Sequence, residues 1–417
     1  MMEAGSTWIV AMPRSRRFVI ARSGPPHVAL IVEPSTVFGR RVLRGVSLFL
    51  RENGPWSIYV EQRSIYDPAP PWLKDWRGDG IISRAAYPEL AQLVVRTKIP
   101  TIDLQEQVLG LGLPRIINDN RAIGQMAAEH LLERGFVHFG FIGHPGISWS
   151  EDRHDGFLRT VAAAGHTCDE YRGAGKTLRR YHQRSWEKEA DDVAAWVRAL
   201  AKPVGIMACN DFRAVQLLDA CRRANVAVPE EAAVIGVDDE DVACEMANPP
   251  LSSVVTNALH IGYEAASMLD SLMRGHRLTS RELHLPPTGI ITRRSTDIMA
   301  ITDPLVASAM QFIRQHACDG INVNDLLRHL PAARSVLQRR FKKSLQMTIH
   351  DAIFAERIRK IKELLAETTL SLAEIAQRTG FVHTEYLSTV FKQKTGATAT
   401  QYRDTHARCS HSRGATQ

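Results

Sequence analysis

Short apolar runs alternate with longer amphipathic stretches over the first three hundred residues of the chain. Runs such as 28–32 and 204–208 have the length and composition of buried strands. Between them, stretches such as 38–53 and 122–134 place apolar residues at helical spacing. Strands that alternate with helices of this length predict parallel, doubly wound sheets. Because the alternation restarts near residue 139, we expect an α/β domain with two successive lobes.

Polar side chains follow the predicted strands at the points where the strands end. In open parallel sheets, ligands bind beyond the carboxyl ends of the strands. Any one of these residues is more often a turn or helix-capping residue, so the prediction of a cleft rests on their convergence in both lobes. Carboxylates and amides there suit a ligand rich in hydroxyl groups. The residues are Glu33, Ser35, Arg84, Asp103, His144, Asn210, Asp211, Asp238 and Asp239.

The last hundred residues show a different pattern, which begins most clearly at residue 371. Ser371 and Glu374 form a capping box that starts a helix, and Gly380 suits the turn that ends it. A second helix follows from about Thr384, so the two helices form a helix-turn-helix. An ordinary helical hairpin has the same spacing. The outward face of the second helix offers groups suited to base edges and phosphates: His383, Thr384, Glu385, Ser388, Thr389 and Lys392.

The same arrangement occurs about fifty residues earlier in the chain. Helices are predicted over 323–330 and 334–345, with a break at Pro331. A longer helix over 349–365 then connects this hairpin to the next one. The outward face of the second helix of the earlier pair is strongly cationic, and its predicted DNA contacts are Arg334, Ser335, Gln338, Arg339 and Lys342.

The net positive charge is confined to this paired-hairpin region. Residues 301–417 contain 17 Lys and Arg against 10 Asp and Glu, whereas residues 1–300 contain 35 of each. The excess of +7 therefore lies on the hairpins. A localised cationic surface is the electrostatic footprint of phosphate binding. The alternative is a sugar-binding enzyme or carrier whose C-terminal helices only mediate protein contacts.

Length and composition limit the other classes of function. A chain of 417 residues is long enough for two or three domains, and no apolar run approaches the ~20 residues of a membrane helix. The six cysteines are widely spaced, so we expect reduced thiols and no metal site. We also expect no cofactor. Residues 1–26 are rich in arginine but lack the apolar stretch of an export signal. We therefore expect a disordered leader and a cytoplasmic protein.

The C-terminal hundred residues contain Leu-Gln-Arg-Arg-Phe-Lys-Lys at 337–343 and Ala-Glu-Ile-Ala, Gly-Phe, Tyr-Leu and Val-Phe-Lys between 373 and 392. These motifs give the region a resemblance to the DNA-binding domain of the AraC/XylS family. The resemblance implies that two recognition helices enter successive major-groove segments on one face of a DNA duplex. The chain departs from the family pattern at Pro331, Ala333 and Ala399. A missing cap at Ala333 costs ~1 kcal/mol of helix stability.

The preceding region contains Ala-Cys-Asn-Asp at 208–211, Val-Ile-Gly-Val-Asp-Asp at 234–239 and Pro-Leu-Ser-Ser-Val at 250–254. These motifs give the region a resemblance to the sensor domain of LacI-type regulators. The resemblance implies that Arg153, Asn210 and Asp238 hold a sugar effector, with Asp211 at a helix start beneath it. Trp149 either stacks on the sugar or is a buried structural residue. Together with the first strand-to-helix loop, the predicted effector contacts are Phe38, Arg40, Trp149, Arg153, Asn210, Asp211 and Asp238.

The combination of these two domains is uncommon and resembles regulators of xylose use. It implies a homodimeric transcription activator that binds operator DNA, contacts RNA polymerase and senses a pentose, with D-xylose as the first candidate. Such regulators carry Tyr-Asp-Arg where this chain has Phe38-Gly39-Arg40, so another pentose, a polyol or a nucleoside is the alternative effector. We expect a leader at 1–26, a sensor at 27–297, a linker at 298–304, a DNA-binding domain at 305–404 and a disordered tail at 405–417.

Overall fold

The computed structural model describes most of the chain between residues 24 and 404. The described ranges are 24–64, 67–85, 87–106, 111–171, 186–298, 300–301, 303–368 and 370–404. Most of the predicted leader and all of the predicted tail lie outside them. Within these ranges no helix is both long enough and apolar enough to cross a membrane.

The strands of the first three hundred residues differ in burial: the inner strands are largely buried, nearly continuous apolar runs, as expected where a sheet is covered on both faces, and the edge strands are partly or fully exposed. The strands are β1 (His27–Ile31), β2 (Ser57–Val60), β3 (Gly80–Ser83), β4 (Thr101–Asp103), β5 (Arg115–Asn118), β6 (His138–Ile142), β7 (Cys168–Tyr171), β8 (Val204–Ala208), β9 (Ala232–Val237), β10 (Ser252–Val255), β11 (Glu282–Leu285) and β12 (Gly289–Ile291). In the described residues they form two sheets, ordered β11-β5-β4-β3-β1-β2 in lobe 1 and β12-β10-β9-β8-β6-β7 in lobe 2. Strand β12 joins β10 antiparallel, whereas the neighbouring pair β9 and β10 is parallel.

Helices cover the faces of both sheets, which confirms the predicted doubly wound α/β class. They are α1 (Val37–Asn53), α2 (Pro88–Arg96), α3 (Asn120–Glu133), α4 (Ser148–Ala163), α5 (Glu187–Ala199), α6 (Asp211–Ala224), α7 (Asp241–Met246) and α8 (Ala258–Met273), with a 3-10 turn at Pro71–Asp75. Helices α1 and α8 share one apolar core with the sheet of lobe 1. Helices α3 and α4 pack on the sheet of lobe 2, and α5 and α6 form a separate core with it.

The two lobes are not consecutive in the chain, and the expectation of two successive lobes is wrong in this respect. Helix α8 packs against α1, and β11 pairs in parallel with β5, although both follow the strands of lobe 2 in sequence. The chain therefore passes between the lobes after β5, after β10 and again between β11 and β12. Strand β11 is short, and its side chains alternate between exposed and half-buried positions, so no apolar run marks it.

In lobe 2, α3 and α4 cross with their backbones in direct contact. A Cβ atom at Gly124 would lie 2.0 Å from the carbonyl oxygen of Arg153, and one at Gly156 would lie 2.1 Å from that of Arg121. Lobe 1 uses the same kind of contact between α1 and α8, where a Cβ at Gly45 would lie 1.9 Å from a carbonyl oxygen of α8. Because these glycines have no side chain, α3 can approach α4 closely, and α1 can approach α8 closely.

Replacing Gly156 with alanine is expected to lower the free energy of unfolding by about 1–3 kcal/mol, because the new methyl group forces the helix backbones apart. Urea unfolding followed by circular dichroism measures the change. Gly24→Ala is the matched control, since a Cβ there has no heavy atom within 4 Å. Equal stabilities of the two variants would contradict the close crossing.

The C-terminal region consists of helices that include both predicted hairpins. They are α9 (Pro304–His316), α10 (Val323–His329), α11 (Arg334–Leu345), α12 (Ile349–Glu367), α13 (Leu372–Arg378) and α14 (Thr384–Thr395), followed by a helical turn at 399–404. The predicted capping box of Ser371 and Glu374 starts α13, and Gly380 has a φ of +71° at the turn. Helix α11 has no side-chain cap at Ala333, but Asn322 and Asp325 form a capping box on α10.

The long helix α12 holds the two hairpins together. Its N-terminal half, including Ile349 and Ile353, packs in the core of the first hairpin and α9. Its C-terminal half, including Ile358 and Ile361, packs in the core of the second hairpin. A displacement of α12 therefore moves both hairpins.

Candidate functional sites

A cavity of about 410 Å³ lies between the lobes, at the carboxyl ends of the strands. This is where parallel sheets place their ligand sites. Side chains from both lobes line it, so a ligand there touches both. Among them are Ser35, Phe38, Arg84, Glu106 and Asn118 from lobe 1, and His144, Trp149, Arg153, Asn210, Asp211 and Asp238 from lobe 2.

Arg153, on α4, is a buried charged side chain of this cleft that is held by several contacts. Only 5% of its side chain is exposed, and its Nη2 lies 3.3 Å from Asp238 Oδ1. Its Nε donates to Asn120 Oδ1 at 3.0 Å, and its Nη1 donates to the carbonyl oxygen of Cys209. The guanidinium carbon lies 4.9 Å from the centre of the Trp149 ring. These contacts fix the planar guanidinium group in one orientation, which suits bidentate recognition of neighbouring hydroxyl groups.

Lobe 1 contributes a second pairing of an arginine with an aromatic ring. The guanidinium carbon of Arg84 lies 4.6 Å from the centre of the Phe38 ring, and Arg84 forms an ion pair with the buried Glu33. Burial opposes the charge of Arg84, but Glu33 and nearby carboxylates raise the pKa of Arg84 above its usual value. Burial raises the pKa of Glu106, and Arg153 and Arg84 act against that rise. The charged groups of the cleft are thus largely paired within the protein.

The predicted DNA contacts lie on two helices of the C-terminal region. On α11, the side chains of Arg334, Ser335, Gln338, Arg339 and Lys342 are exposed. On α14 and at its N-cap, those of His383, Glu385, Thr389 and Lys392 are exposed, whereas Thr384 and Ser388 are half-buried. A groove between the hairpins is lined by both Arg334 and His383. Among the described residues, no carboxylate lies within ion-pair distance of Arg339, Lys342 or Lys392.

Comparison with known proteins supports both parts of this description. Family models match the chain over residues 27–107 as an XylR N-terminal domain, over 128–296 as a periplasmic binding protein-like domain and over 326–405 as a helix-turn-helix domain. The xylose operon regulatory protein of Haemophilus influenzae is 33% identical over 384 residues, which cover 90% of this chain and 97% of the relative. The chain belongs to the xylose operon regulator family. The protein of the same name from Escherichia coli K12 is also 33% identical, over 391 residues and 97% of its length.

Solved structures agree with membership of the xylose operon regulator family. The structure of the xylose-binding transcription activator XylR matches with a TM-score of 0.80 and 31% identity, covering 92% of this chain and 99% of that one. The cellobiose complex of the regulator CelR, at 22% identity and a TM-score of 0.51, shows the two-lobed fold alone. The predicted class of function is confirmed: this family member is a transcription regulator with a sugar-sensing domain and a helix-turn-helix domain, and its relatives are not enzymes.

In this xylose operon regulator, Asn210 and Asp211 line the cleft and also support its structure. Asn210 caps α6, since its Oδ1 accepts from the backbone N–H of Arg213 at 2.8 Å. Asp211 Oδ1 accepts from Ser253 Oγ, and Asp211 Oδ2 accepts from the N–H of Glu240, both at 2.7 Å. Burial, and next the charge of Asp238, raises the pKa of Asp211 to about 7.

The raised pKa of Asp211 predicts a dependence of stability on pH. Its reference pKa is 3.8, so the folded state binds more protons than the unfolded state between about pH 4 and pH 7. Stability from this group is therefore lost as the pH rises through that window. Between pH 5 and pH 7 the wild type should lose on the order of 2 kcal/mol of unfolding free energy through Asp211, and the Asp211→Asn variant should lack this loss.

Urea titrations of the wild type and the variant at both pH values measure this difference. Asp191→Asn is the control, because the side chain of Asp191 is 91% exposed. An Asp211→Asn variant with the same pH dependence as the wild type would contradict the assignment.

Arg40 lies outside the lining of the cleft, contrary to the prediction that it contacts the effector. Its Nη2 donates to Glu240 Oε1 at 2.8 Å, and Glu240 Oε2 accepts from the N–H of Val37 at 2.8 Å. The next residue, Arg41, pairs with Asp239 at 2.9 Å. The arginines of the first loop therefore join lobe 1 directly to lobe 2, because residues 239–240 follow a strand of lobe 2.

Sequence reasoning left other residues of the cleft out of the predicted set. Arg84 and His144 belong to the polar residues at strand ends, but neither lies in a sequence motif that marks it as an effector contact. Asn118 is the last residue of β5, so the strand-end rule applies to it as well. Glu106 lies in the loop after β4, and no pattern in the sequence marks it. Its position became visible only with the fold.

Proposed function

We propose that this regulator activates genes of pentose catabolism and that D-xylose, bound between the lobes, controls it. The observation that carries the proposal is the cleft itself, in which a fixed Arg153 and polar groups from both lobes converge. In the cleft, Arg153 pairs with Asp238 and Arg84 pairs with Glu33, so these charges balance each other. The site therefore offers hydrogen-bonding groups but little net charge. A neutral, hydroxyl-rich ligand suits such a site. The names of the relatives support xylose as the first candidate.

Within this proposal, Phe38, Trp149, Arg153, Asn210, Asp211 and Asp238 contact or support the sugar, and Arg40 positions the lobes. The sensor spans residues 27–297, the linker 298–304 and the DNA-binding domain 305–404. The protein acts in the cytoplasm as a homodimer and contacts RNA polymerase when it is bound to DNA.

The sugar acts by shifting an equilibrium between two arrangements of the lobes. A ligand that touches both lobes binds more tightly when they are closed, and it can shift the equilibrium only by that difference in affinity. Closure of the lobes repositions the DNA-binding domains of the dimer so that both engage operator repeats. The contacts of Arg40 and Arg41 with residues 239–240 contribute to the same equilibrium without the sugar.

On DNA, the N-terminal parts of α11 and α14 enter successive major-groove segments. The cations Arg334, Arg339, Lys342 and Lys392 contact phosphates or guanine edges. The shorter polar groups Ser335, Gln338, His383, Thr384, Glu385, Ser388 and Thr389 contact base edges and the adjacent backbone. Helix α12 keeps the two recognition helices at a fixed separation.

The test is a gel-shift assay of the full chain with sheared genomic DNA, with and without D-xylose. We expect retained fragments whose retention increases with the sugar. A thermal-shift screen of pentoses, polyols and nucleosides in parallel identifies the effector, because a ligand at 100 times its dissociation constant adds about 2.7 kcal/mol of stability. A chain that binds DNA equally with and without every sugar in the screen would contradict the proposal.

One observation favours another pentose, a polyol or a nucleoside as the second candidate effector. A Cβ at Gly39 would lie 1.8 Å from the carbonyl oxygen of Glu33. An aspartate at this position therefore does not fit this loop. An acidic hydroxyl partner is missing there, and the rank order of ligands in the thermal-shift screen decides between the candidates.

A further inference from the structure

A buried cluster of charged side chains joins lobe 2 to the DNA-binding domain. Glu230 precedes β9 in lobe 2, and its Oε1 lies 2.8 Å from Arg314 Nε on α9. Arg294, which follows β12, lies 3.6 Å from Glu356 Oε2 on α12. Glu356 is also 3.8 Å from Arg314 and 2.9 Å from Arg359. We call these five residues the interdomain cluster.

The burial of the interdomain cluster makes its contacts dependent on one another. The side chain of Glu230 is 3% exposed, and those of Arg314 and Glu356 are each 11% exposed. Burial raises the pKa of Glu230, and Arg314 opposes that rise. Burial, and next the charge of Arg359, lowers the pKa of Arg294. A buried charge that loses its partner is strongly unfavourable, so these ion pairs oppose separation of the two domains.

The segment that carries Arg294 is attached firmly to lobe 2. The carbonyl oxygen of Ser295 accepts from the N–H of Val234 at 2.9 Å, and Thr296 Oγ1 lies 2.8 Å from the buried His130 ring. The carbonyl oxygen of Thr296 accepts from Arg134 Nε at 2.8 Å. This segment therefore moves with lobe 2 as one body.

The same segment begins next to the cleft. Arg293 Nη2 donates to Asp239 Oδ1 at 2.9 Å, and Asp239 is also the partner of Arg41 from lobe 1. The preceding residue, Asp238, holds Arg153. Three ion pairs, joined through the sequence neighbours Asp238–Asp239 and Arg293–Arg294, thus connect the cleft to Glu356 in the middle of α12.

Glu356, the residue of α12 that contacts Arg294, lies near the middle of α12, between the parts that pack against the two hairpins. Next to Glu356, Arg357 Nε donates to the carbonyl oxygen of Ala317 at 2.7 Å, and its Nη2 donates to that of Ile321 at 2.9 Å. These bonds tie α12 to the segment before α10. Since α12 shares a core with each hairpin, a group that holds Glu356 sets the position of both recognition helices.

We propose that the interdomain cluster is the element that transmits lobe movement to the DNA-binding domain. Lobe 2 and the C-terminal helices turn together as the lobes close, because Glu230 and Arg294 hold Arg314 and Glu356. This inference rests on the proposed control of DNA binding by a sugar. Without the cluster, the hairpins lose their fixed orientation relative to the sensor, and DNA affinities with and without the sugar converge.

The test uses the full chain and the variants Glu230→Gln, Arg314→Gln, the double variant of these two, and Glu356→Gln. The coupling ratio is the DNA dissociation constant without D-xylose divided by that at saturating D-xylose. The probe is a duplex that the wild type selects from sheared genomic DNA. We expect each variant to reduce the ratio about fivefold or more, toward one. The double variant should lose no more than Arg314→Gln alone, because Arg314→Gln already removes the contact with Glu230.

Arg115→Gln is the matched control, since it breaks an ion pair of 2.7 Å with Glu282 inside lobe 1. Its coupling ratio should equal that of the wild type. Thermal melting confirms that each variant is folded. Small-angle scattering gives a second readout without sugar or DNA: the radius of gyration should increase in the cluster variants and not in the control.

Unchanged coupling ratios and unchanged scattering in folded cluster variants, beside a wild type that responds to the sugar, would overturn the inference alone. A wild type whose DNA affinity does not respond to any sugar would overturn both this inference and the proposed function. The measurements on the wild type therefore test the proposed function, and those on the variants test the role of the interdomain cluster.

Discussion

Arg153→Ala is expected to raise the dissociation constant for D-xylose by about a hundredfold. The change removes a guanidinium group that is held by Asn120, Cys209 and Asp238 and leaves the Asp238 carboxylate without its partner. The variant loses a charged hydrogen-bond donor to the sugar. Such a hydrogen bond contributes about 1.5–3 kcal/mol, and each 1.4 kcal/mol is about tenfold in affinity. Isothermal titration calorimetry of the wild type and the variant measures the effect.

Arg159→Ala is the control for this prediction. Arg159 lies on the same helix α4, its side chain is 69% exposed, and it pairs with Asp155 at 2.8 Å. Its removal should leave sugar affinity unchanged. If Arg153→Ala bound D-xylose as well as the control does, the sugar site would have to lie elsewhere.

The second large effect concerns DNA affinity and its dependence on salt. Arg339→Ala and Lys392→Ala should each weaken binding to all sequences and lower the slope of log affinity against log salt by roughly 0.9, the value for one phosphate contact. Neither cation has an ion-pair partner among the described residues, so each is available to a phosphate. Fluorescence anisotropy with a labelled duplex over a range of salt concentrations measures the slope.

Ser388→Ala and Thr389→Ala should act differently, because short polar groups on a recognition helix contact base edges. We expect a change of about 1–3 kcal/mol in preference at single base pairs, with the salt slope preserved. Arg198→Ala removes an exposed cation from α5 of the sensor and serves as the charge control. An equal loss on every sequence for all four DNA-face variants would contradict the division between phosphate and base contacts.

The helix-turn-helix units could be predicted in detail because their signals are local. The capping box of Ser371 and Glu374, the left-handed turn at Gly380 and the apolar spacing of Leu387, Val390 and Phe391 all lie within twenty residues. Such features act through the backbone of their own turn or helix, so they are readable without the rest of the molecule. The predicted bounds of α11 and of the start of α12 match the structure.

The cleft could be predicted only in part. Asn210, Asp211 and Asp238 follow buried strands, and the strand-end rule brought them to one site. Arg40 was misplaced, because its partner Glu240 lies 200 residues away in the other lobe. Glu106 was missed for the related reason that a loop residue becomes part of a site only when the lobes meet.

Periodicity, caps and charge distribution in this chain were sufficient to specify a doubly wound α/β sensor, two helix-turn-helix units and a cationic DNA-facing surface. The return of the chain to lobe 1 at α8 and β11, the direct ion pairs between the lobes and the interdomain cluster came only from the folded molecule. The physical reason is that local features need neighbouring residues alone, whereas these contacts join residues far apart in sequence, whose meeting depends on how the whole chain packs.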